Sequence, residues 1–469
     1  MTKRLFGTDG MRGEAGRFPL DEATVRAAGR SLARRLEGRA GPPQVVTGRD
    51  TRESGEWIER AFIGGFVEGG GRAASAGVIT TPGVAYLARS LPADAGVVIS
   101  ASHNPFHDNG IKIFAPTGRK LDDATERLIE ADIYAEREAG APPAGAGEGA
   151  AEAFGAAAAE VKGGGADARP AEALRGAYLE HLAAEAAAGL RLEGLKVVAD
   201  CANGAASAYA PALLSRLGAR VVATFDAPDG RNINRDCGSL HTDILQKRVV
   251  EEGAHLGVAY DGDADRALFV DARGRLVDGD ATLWALAQRM QARGELQGDR
   301  VVATVMSNIG LELALRSRGV ELLRADVGDK YVLEELLRTG SALGGEQSGH
   351  IIFPRLSLAG DGMLTTLNLL RALVESGRPL DELTGGFERY PQVLVNVRVR
   401  EKAPFEEVEE VAREARAVRE RLGDGGRLLL RYSGTEPLAR VMIEGQSQEE
   451  IDALAQGLAD VIRRRLGEG

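Results

Sequence analysis

The chain has 469 residues, a length that predicts about three domains, or four if one of them is small. Its 58 Lys and Arg residues against 69 Asp and Glu residues give a net charge of −11, which argues against nucleic acid and anionic membrane surfaces as partners. Hydrophobic residues make up 44% and charged residues 27%, so wholesale disorder and fibrous classes are excluded.

The number of cysteines and the length of the apolar runs indicate the cellular compartment of the protein. Cys201 and Cys237 are too few for a disulfide scaffold or a thiolate zinc site. The chain reaches Gly7 before any apolar stretch could act as a secretory signal, and no apolar run approaches the roughly 20 residues of a membrane helix. We therefore expect a cytoplasmic protein with no membrane partner.

Predicted elements of the first unit, residues 1–138, alternate between short β-branched runs and amphipathic stretches. The strands are predicted at 44–47, 76–79 and 96–100, and the helices at 54–69 and 83–90. This alternation is typical of a mainly parallel, layered α/β sheet. The Ala-, Gly- and Pro-rich residues 139–170 follow, and we interpret them as an insertion or linker.

Two further units, 171–273 and 274–388, repeat the alternation of strands and helices. Predicted elements of the second unit lie at 171–190 (helix), 195–200, 205–217, 220–225, 243–252 and 256–260. Those of the third lie at 281–293, 301–306, 309–318, 320–325, 330–338 and 363–376. We predict three related α/β domains with mixed sheets.

The last unit, residues 389–469, has a different pattern. Its predicted elements are strands at 393–399, 428–432 and 438–443 and helices at 404–422 and 449–466. Two strands in direct succession indicate an antiparallel sheet, so this unit is predicted to be an α+β domain.

The polar loop 100–110 is the first candidate site. It leaves the apolar run 96–99, and loops at the carboxyl ends of strands line the ligand crevice in open α/β sheets. Ser102 is therefore a candidate nucleophile. The alternative is a plain Ser/Asn/Pro turn. A Gly-x-Ser-x-Gly hydrolase motif is absent, because Ser100 and Asn104 occupy the glycine positions.

An acidic cluster, Asp261, Asp263 and Asp265, follows the strand-like residues 256–260. If the backbone is extended, a spacing of two places all three carboxylates on one side, where their repulsion needs a cation. Mg²⁺ is the hard divalent ion that such oxygen ligands favour. An EF-hand fails, because its sixth position would be Arg266 rather than Gly; a solvated acidic hairpin turn remains the alternative.

Residues 431–440 offer a phosphate cradle. Two guanidinium groups, two hydroxyls and the backbone donors of a Ser-Gly-Thr turn suit a phosphate dianion, and a plain hairpin connection is the alternative. The glycine-bracketed cluster 344–350 suits recognition of sugar hydroxyls or is a structural turn. Arg12 and Lys112 could supply cations near a transferring phosphoryl group, and Lys112 could also move protons.

These motifs are more specific together than singly. A serine nucleophile, a divalent-ion triad and a phosphate cradle in different units indicate phosphoryl transfer between enzyme and substrate, which needs positioning and charge neutralisation above all.

The chain resembles the α-D-phosphohexomutases, most closely the branch that acts on glucosamine phosphates. The resemblance rests on 6–13, 100–114, 261–266, 327–331, 344–350 and 431–440, which occur in the family's order. It implies four domains around a central cleft, three of them α/β and the last α+β. It also implies a small-molecule sugar phosphate as the partner and allows a homodimer.

The resemblance implies a mechanism as well. Ser102 would carry a phosphoryl group, donate it to glucosamine 6-phosphate, and regain a phosphoryl group from the reoriented 1,6-bisphosphate as glucosamine 1-phosphate leaves. One Mg²⁺ per chain would be held by Asp261, Asp263, Asp265 and the Ser102 phosphoryl oxygen. The product would supply UDP-N-acetylglucosamine synthesis for the cell envelope.

Further roles follow from the same resemblance. Lys112 and His350 would handle protons, with Arg12, His103 and Arg266 near the phosphoryl group. The residues implied in substrate binding are Glu346 and Ser348 for sugar hydroxyls and Arg431, Ser433, Gly434, Thr435 and Arg440 for the phosphate that is not transferred.

Two departures and three alternatives accompany this interpretation. Ala264 stands where many family members have Gly, and the segment 140–170 is longer than the usual join between the first two domains. Gln347 favours the glucosamine branch over a phosphoglucomutase or phosphomannomutase with the same machinery. A metal-dependent sugar phosphatase would release inorganic phosphate instead, and a non-catalytic sugar-phosphate binding protein would have no need of Ser102 and the three Asp residues.

Overall fold

The computed structural model describes residues 4–7, 9–36, 41–140, 170–433 and 436–468. Four sheets form within these ranges, three of them in α/β units and the last in an antiparallel unit. The prediction of three α/β domains with mixed sheets and a C-terminal α+β domain is confirmed. Most of the Ala/Gly/Pro-rich segment, residues 141–169, lies outside the described residues.

The first sheet has six strands in the order β1-β2-β6-β5-β3-β4. Its strands are β1 Phe6–Gly7, β2 Gly10–Glu14, β3 Gln44–Arg49, β4 Arg72–Val78, β5 Ala95–Ile99 and β6 Asp108–Phe114. Its helices are α1 Glu22–Arg35, α2 Gly55–Glu68, α3 Thr81–Ser90 and α4 Asp123–Glu138. β3 is parallel to β4 and β5, whereas β6 is antiparallel to β5. The loop between β5 and β6 is thereby set at the carboxyl end of a fully buried strand.

The second sheet has five strands in the order β11-β10-β9-β7-β8. Its strands are β7 Lys196–Asp200, β8 Arg220–Thr224, β9 Leu256–Tyr260, β10 Ala267–Asp271 and β11 Leu276–Val277. Its helices are α5 Ala171–Glu180, α6 Ala210–Arg216 and α7 Asp243–Glu251, with a π-helical turn His181–Ala186 and 3₁₀ turns Ala205–Ala208 and Gly238–Leu240. The predicted helix 171–190 therefore ends as an α-helix at Glu180 and continues in π-helical form.

The third sheet has four strands in the order β13-β12-β14-β15. Its strands are β12 Arg300–Thr304, β13 Glu321–Ala325, β14 Gly344–Gly345 and β15 Ile351–Ile352. Its helices are α8 Gly279–Ala292, α9 Ile309–Ser317, α10 Asp329–Thr339, α11 Gly362–Ser376 and α12 Leu380–Leu383, with a 3₁₀ turn Gln297–Asp299. Side-chain caps begin several of these helices: Asp278, Asn308 and Asp361 each accept a hydrogen bond from a backbone N–H of the first turn.

The last sheet is antiparallel, in the order β16-β18-β17. Its strands are β16 Gln392–Arg398, β17 Arg427–Tyr432 and β18 Leu438–Glu444, and its helices are α13 Glu409–Leu422 and α14 Gln448–Leu466, with a 3₁₀ turn Gly423–Gly425. The helix predicted over 404–422 was wrong at its start. Turn bonds from Glu407 N–H to Pro404 O and from Val408 N–H to Phe405 O occupy that stretch, so α13 begins only at Glu409.

One apolar core runs through the first three units and fixes how their loops meet. It joins Val98 of β5, Tyr178 of α5, Phe269 of β10 and Leu364 of α11, all of them buried. The last unit has a core of its own, built between its sheet and α13 and α14. In the part of the chain that the structure describes, no helix is both long and apolar enough to cross a membrane.

Candidate active site

Ser102 follows β5 in a loop that turns back toward β6, and its hydroxyl is directed at the second unit. The residue is 1% exposed and has a left-handed backbone, with φ of 53°. Its Oγ donates a hydrogen bond to Oδ2 of Asp261 at 2.6 Å and lies 3.2 Å from Nδ1 of His103. The structure thus brings the predicted serine and the predicted acidic cluster into direct contact.

The acidic cluster lies in the connection between β9 and β10. The extended backbone assumed for it in the sequence analysis was wrong: β9 and β10 are antiparallel neighbours, so residues 261–266 must reverse the chain. Ala264 makes the reversal in a left-handed conformation, with φ of 56°, which explains why glycine suits this position. The three carboxylates converge all the same, with one oxygen of each within 4.8 Å of the others.

Burial and nearby charges shift the pKa values of Asp261 and Asp265 in opposite directions. Burial and the neighbouring carboxylates raise the pKa of Asp261 well above its usual range. Burial also acts on Asp265, but Lys112 and His350 outweigh it and hold the pKa of Asp265 well below its usual range. Asp263 Oδ1 and Asp265 Oδ1 are buried with no hydrogen-bond partner among the described residues. Two buried carboxylate oxygens of the cluster are therefore left without a described hydrogen-bond donor.

Lys112 extends from β6 into the same cluster. The side chain is 1% exposed, and its Nζ lies 2.9 Å from Asp263 Oδ2 and 3.4 Å from Asp265 Oδ2. Although burial opposes the charged form, Asp263, Asp9 and Asp265 together raise the pKa of Lys112. The ammonium group is thus held charged at the acidic cluster.

His350 approaches the cluster from the third unit. It is 4% exposed, with Nδ1 3.7 Å from Asp265 Oδ2 and Nε2 3.6 Å from Asp329 Oδ2. Burial disfavours the charged imidazole, but Asp265 and Asp329 raise its pKa. The two predicted proton-handling groups therefore both approach Oδ2 of Asp265.

Three further charged residues, which sequence reasoning did not assign, join these groups. Nζ of Lys120 lies 3.1 Å from Asp9 Oδ1 and 2.8 Å from Asp329 Oδ1, so it links the first and third units. Asp9 and Asp329 belong to the motifs 6–13 and 327–331, so the sequence contained a signal for both of these site residues. Lys120 lies in none of the motifs, and no signal pointed to it. A cavity of about 380 Å³ opens here, lined by Lys120, Asp265, Asp329 and His350 among others.

Basic groups surround Ser102. Nη1 of Arg266 lies 3.2 Å from Nδ1 of His103, and Arg12 donates a short hydrogen bond to Asp9. Burial lowers the pKa of His103, and the nearby guanidinium groups of Arg266 and Arg12 lower it further. The Nε atoms of Arg12 and Arg266 are buried without a hydrogen-bond partner among the described residues, so two donors remain for an anion.

The cluster 344–350 lies between β14 and β15. Oε1 of Glu346 accepts a hydrogen bond from Gly328 N–H at 3.1 Å, and Ser348 Oγ is buried with no described partner. In the amide orientation that satisfies both side chains, the Gln347 oxygen accepts hydrogen bonds from Nη1 and Nη2 of Arg389 at 3.0 and 2.8 Å. Gln347 is therefore anchored at the connection between the third and last units.

The predicted phosphate cradle lies on β17 and β18. Arg431 and Arg440 are cross-strand partners, and Nη2 of Arg440 donates to Ser433 Oγ at 3.3 Å. Burial and the neighbouring Arg440 lower the pKa of Arg431. Arg440 Nε is a further buried donor with no described partner, so the pair has room for an anion. Gly434 and Thr435, predicted in the same cradle, lie outside the described residues.

Polar loops of the first three units meet at Ser102 and the acidic cluster, and this site together with the order of the four units agrees with the class of phosphohexose mutases. Four domain models described as "Phosphoglucomutase/phosphomannomutase" match the chain: alpha/beta/alpha domain I over residues 3–140, domain II over 176–274, domain III over 278–390, and the C-terminal domain over 394–461. The chain belongs to the phosphoglucomutase/phosphomannomutase family.

Full-length relatives agree with this assignment. The chain is 49% identical to a phosphoglucosamine mutase from Solibacter usitatus, with 100% of both chains covered. It is 46% identical to a phosphoglucosamine mutase from Syntrophotalea carbinolica, with 100% of this chain and 99% of the relative covered. Both relatives thus match all four units.

Solved structures share the fold. A phosphoglucomutase/phosphomannomutase family protein from Burkholderia thailandensis matches with a TM-score of 0.78 at 23% identity, covering 99% of this chain and 98% of that one. An Aspergillus fumigatus N-acetylphosphoglucosamine mutase, solved in complex with GlcNAc-6P and magnesium, matches with a TM-score of 0.63 at 21% identity, covering 98% and 95%.

Proposed function

We propose that the chain interconverts glucosamine 6-phosphate and glucosamine 1-phosphate through a phosphorylated Ser102 and a 1,6-bisphosphate. The observation that carries the proposal is the 2.6 Å contact between Ser102 Oγ and Asp261 Oδ2, inside a buried carboxylate triad. Full-length relatives named phosphoglucosamine mutase support the choice of substrate. A hydroxyl at such a site is placed for phosphoryl transfer, which depends on positioning and on charge neutralisation.

Each half-reaction breaks one P–O bond and forms another. In the first, the bond between phosphorus and Ser102 Oγ breaks and a bond forms to the free sugar hydroxyl; the hydroxyl proton passes to a protein base, and Ser102 Oγ takes up a proton. In the second, the bisphosphate has turned over, its other phosphoryl group moves to Ser102 Oγ, which gives up that proton, and the released sugar oxygen regains a proton. Lys112 and His350 are the proposed proton-handling groups, since both reach Asp265; Lys112, held charged there, is proposed to donate a proton rather than to accept one.

The residues present fit a hard divalent cation. Asp263 Oδ1 and Asp265 Oδ1 are buried without described partners, and the three carboxylates offer converging oxygens, the ligands that Mg²⁺ favours. We assign Asp261, Asp263, Asp265 and a phosphoryl oxygen on Ser102 as the groups that would hold it. When bound, Mg²⁺ supplies charge neutralisation for the transferred phosphoryl group.

The basic groups divide between two phosphates. Arg12, His103 and Arg266 surround Ser102 and are proposed to face the transferred group, since two of their buried donors lack partners. Arg431, Ser433 and Arg440, with Gly434 and Thr435, are proposed to hold the other phosphate. Because the sugar turns over between half-reactions, this second grip must accept a phosphate at either end.

Sugar recognition is assigned to the loop 344–350. Ser348 Oγ, a buried hydroxyl without a described partner, and Glu346 are proposed to contact sugar hydroxyls. Gln347, anchored on Arg389, is the proposed determinant of the amino sugar. Glucose or mannose phosphates are the alternative substrates of the same machinery.

The test is a coupled assay for glucosamine 1-phosphate made from glucosamine 6-phosphate, with Mg²⁺ and a trace of sugar bisphosphate. Glucose and mannose phosphates and inorganic phosphate release are measured in parallel. Preferential isomerisation of the amino sugar is the expected result. Faster turnover of glucose or mannose phosphate would show that the proposed substrate is wrong. Release of inorganic phosphate alone would indicate a phosphatase.

We further propose a cytoplasmic enzyme that supplies amino sugar for UDP-N-acetylglucosamine synthesis. Cys201 and Cys237 are both free and buried, as a reducing compartment favours. A homodimer is the proposed assembly to test, by measuring the molar mass in solution.

A further inference from the structure

Ser102 has an unusual backbone whose support comes from outside the loop. Its φ of 53° places a non-glycine residue in the left-handed region, a strained conformation that persists only where the surroundings determine it. The supporting contacts therefore show what fixes the direction of the Ser102 hydroxyl.

One support is a buried ion pair of the first unit, Asp50 and Arg52, whose side chains are both 0% exposed. Nη2 of Arg52 donates to Ser102 O at 2.9 Å and to Asn104 O at 2.8 Å. Its Nη1 donates to Asp108 O at 3.0 Å, and also to Pro105 O. A single guanidinium group thus binds four carbonyl oxygens of the serine loop.

The same ion pair reaches the other side of Ser102. The Ser102 N–H donates to Ser100 Oγ at 2.9 Å, and that hydroxyl donates to Asp50 Oδ2 at 2.7 Å. Nε of Arg52 donates to the same Asp50 oxygen at 2.8 Å. The N–H and the C=O of Ser102 are therefore tied to one rigid pair.

The second support comes from the second unit. Nδ2 of Asn234 donates to Ser102 O at 2.8 Å and to Asn104 O at 3.0 Å, the two carbonyls that Arg52 Nη2 also binds. Asn234 is itself left-handed, with φ of 58°, and its N–H donates to Ala202 O at 2.9 Å. The acidic loop packs directly against the carbonyl of Ser102. A Cβ added at Gly262, which lies between Asp261 and Asp263, would be only 2.6 Å from Ser102 O.

We infer that Arg52 and Asn234 form a two-unit carbonyl clamp that positions the Ser102 hydroxyl for phosphoryl transfer, with Asn234 setting the alignment of the first unit on the second. The inference rests on the proposed role of Ser102. Neither residue contacts the reacting atoms; both act through the backbone of Ser102. Misplacing a reacting oxygen by about 1 Å costs roughly a hundredfold in rate, so the clamp controls kcat more than sugar binding.

Asn234→Gly is the cleanest test, because glycine accepts the left-handed backbone while the donor is removed. We expect kcat to fall roughly 10- to 100-fold, with KM for glucosamine 6-phosphate within about twofold of the wild-type value. Asn234→Asp keeps the shape but places a carboxylate against two carbonyl oxygens, and should lower kcat at least as far.

Asn232→Ala is the matched control. Asn232 lies in the same loop, and its side-chain bonds to described residues are to Ala227 O and Asp229 N–H, both within that loop. Its kcat should equal that of the wild type. Thermal unfolding of each variant, and the single-turnover rate of Ser102 phosphorylation by glucose 1,6-bisphosphate, complete the set.

The outcomes separate the inference from the proposed function. A wild-type chain that isomerises no sugar phosphate but is phosphorylated on Ser102 defeats the proposed function, and a slower phosphorylation in Asn234→Gly still supports the clamp. An unchanged kcat and phosphorylation rate in Asn234→Gly and Asn234→Asp overturns it. So does an equal loss in Asn232→Ala, a rise in KM that accounts for the whole effect, or a Ser102 that is never phosphorylated.

Discussion

Ser102 Oγ and Asp261 Oδ2 lie 2.6 Å apart although 159 positions separate the two residues in the chain. The contact joins the loop after β5 to the turn after β9, and so brings two units together at one point. Because both side chains are buried, the hydroxyl is held against a carboxylate that has little access to water. The proposed phosphoryl transfer depends on this contact.

Ser102→Ala removes the proposed acceptor of the phosphoryl group. We expect turnover to fall by at least about a thousandfold, because no other oxygen occupies that position, while the fold is kept. The coupled isomerisation assay and thermal unfolding measure the two effects. Ser317→Ala, which loses only a bond to Ala314 O at the end of α9, is the control. Retained turnover in Ser102→Ala would remove the nucleophile assignment.

Asp263→Asn removes one charge from the acidic cluster. Its Oδ2 pairs with Lys112 and accepts from Thr81 Oγ1 at 2.6 Å, while Oδ1 is free of described partners. We expect the Mg²⁺ concentration for half-maximal activity to rise about tenfold or more and the rate to fall. Exposed Asp243→Asn serves as the control. An unchanged Mg²⁺ titration would contradict the metal assignment.

Asp361→Asn tests a pH-dependent contribution to stability away from the triad. Burial raises the pKa of Asp361 to about 6, against 3.8 in an unfolded chain. The carboxyl therefore stabilises the fold below about pH 4, and this contribution is lost as the pH rises through about 6, for a total of roughly 3 kcal/mol.

Asparagine keeps the helix cap through Oδ1 and does not titrate, while its Nδ2 must donate to the Tyr178 hydroxyl that donates to Asp361 in the wild type. The free energy of unfolding of the wild type, relative to Asp361→Asn, should thus fall between about pH 4 and pH 6 and then level off. Urea unfolding of both proteins across that range measures it. A difference that stays constant with pH would show that Asp361 does not titrate in this way.

Gln347→Ala tests the choice of sugar. We expect the ratio of kcat/KM for glucosamine 6-phosphate to that for glucose 6-phosphate to fall roughly tenfold, because a hydrogen-bonding group at the sugar loop and its anchor on Arg389 are lost together. Exposed Gln456→Ala, on α14, is the matched control. Equal losses of kcat/KM with both sugar phosphates would show that Gln347 has only a structural role.

Much of this architecture could be predicted from local patterns. Apolar runs and their breaks located most strands and helices to within a few residues, because the buried faces of each element require apolar side chains. The start of α13 and the π-helical turn after α5 could not be predicted, because both depend on local hydrogen bonds that composition does not specify.

Part of the site could likewise be predicted from the sequence, and part could not. Ser102 and the acidic cluster could be found because short motifs carry them, but the turn that reverses residues 261–266 follows from the antiparallel pairing of β9 and β10. Arg52 and Asn234 gave no signal, because their partners are backbone carbonyls of a distant loop. Such contacts have no signature in a single sequence.

The most direct test of the central claim follows one phosphoryl group on Ser102. The protein is phosphorylated with isotope-labelled glucose 1,6-bisphosphate, freed of excess bisphosphate and analysed by mass spectrometry, before and after the addition of unlabelled glucosamine 6-phosphate and Mg²⁺. We expect one labelled phosphoryl group on the peptide that contains Ser102; after the addition, the label should appear in glucosamine 1-phosphate, while Ser102 carries an unlabelled phosphoryl group regained from the bisphosphate. A phosphoryl group on another residue, or its release as inorganic phosphate alone, would contradict this mechanism.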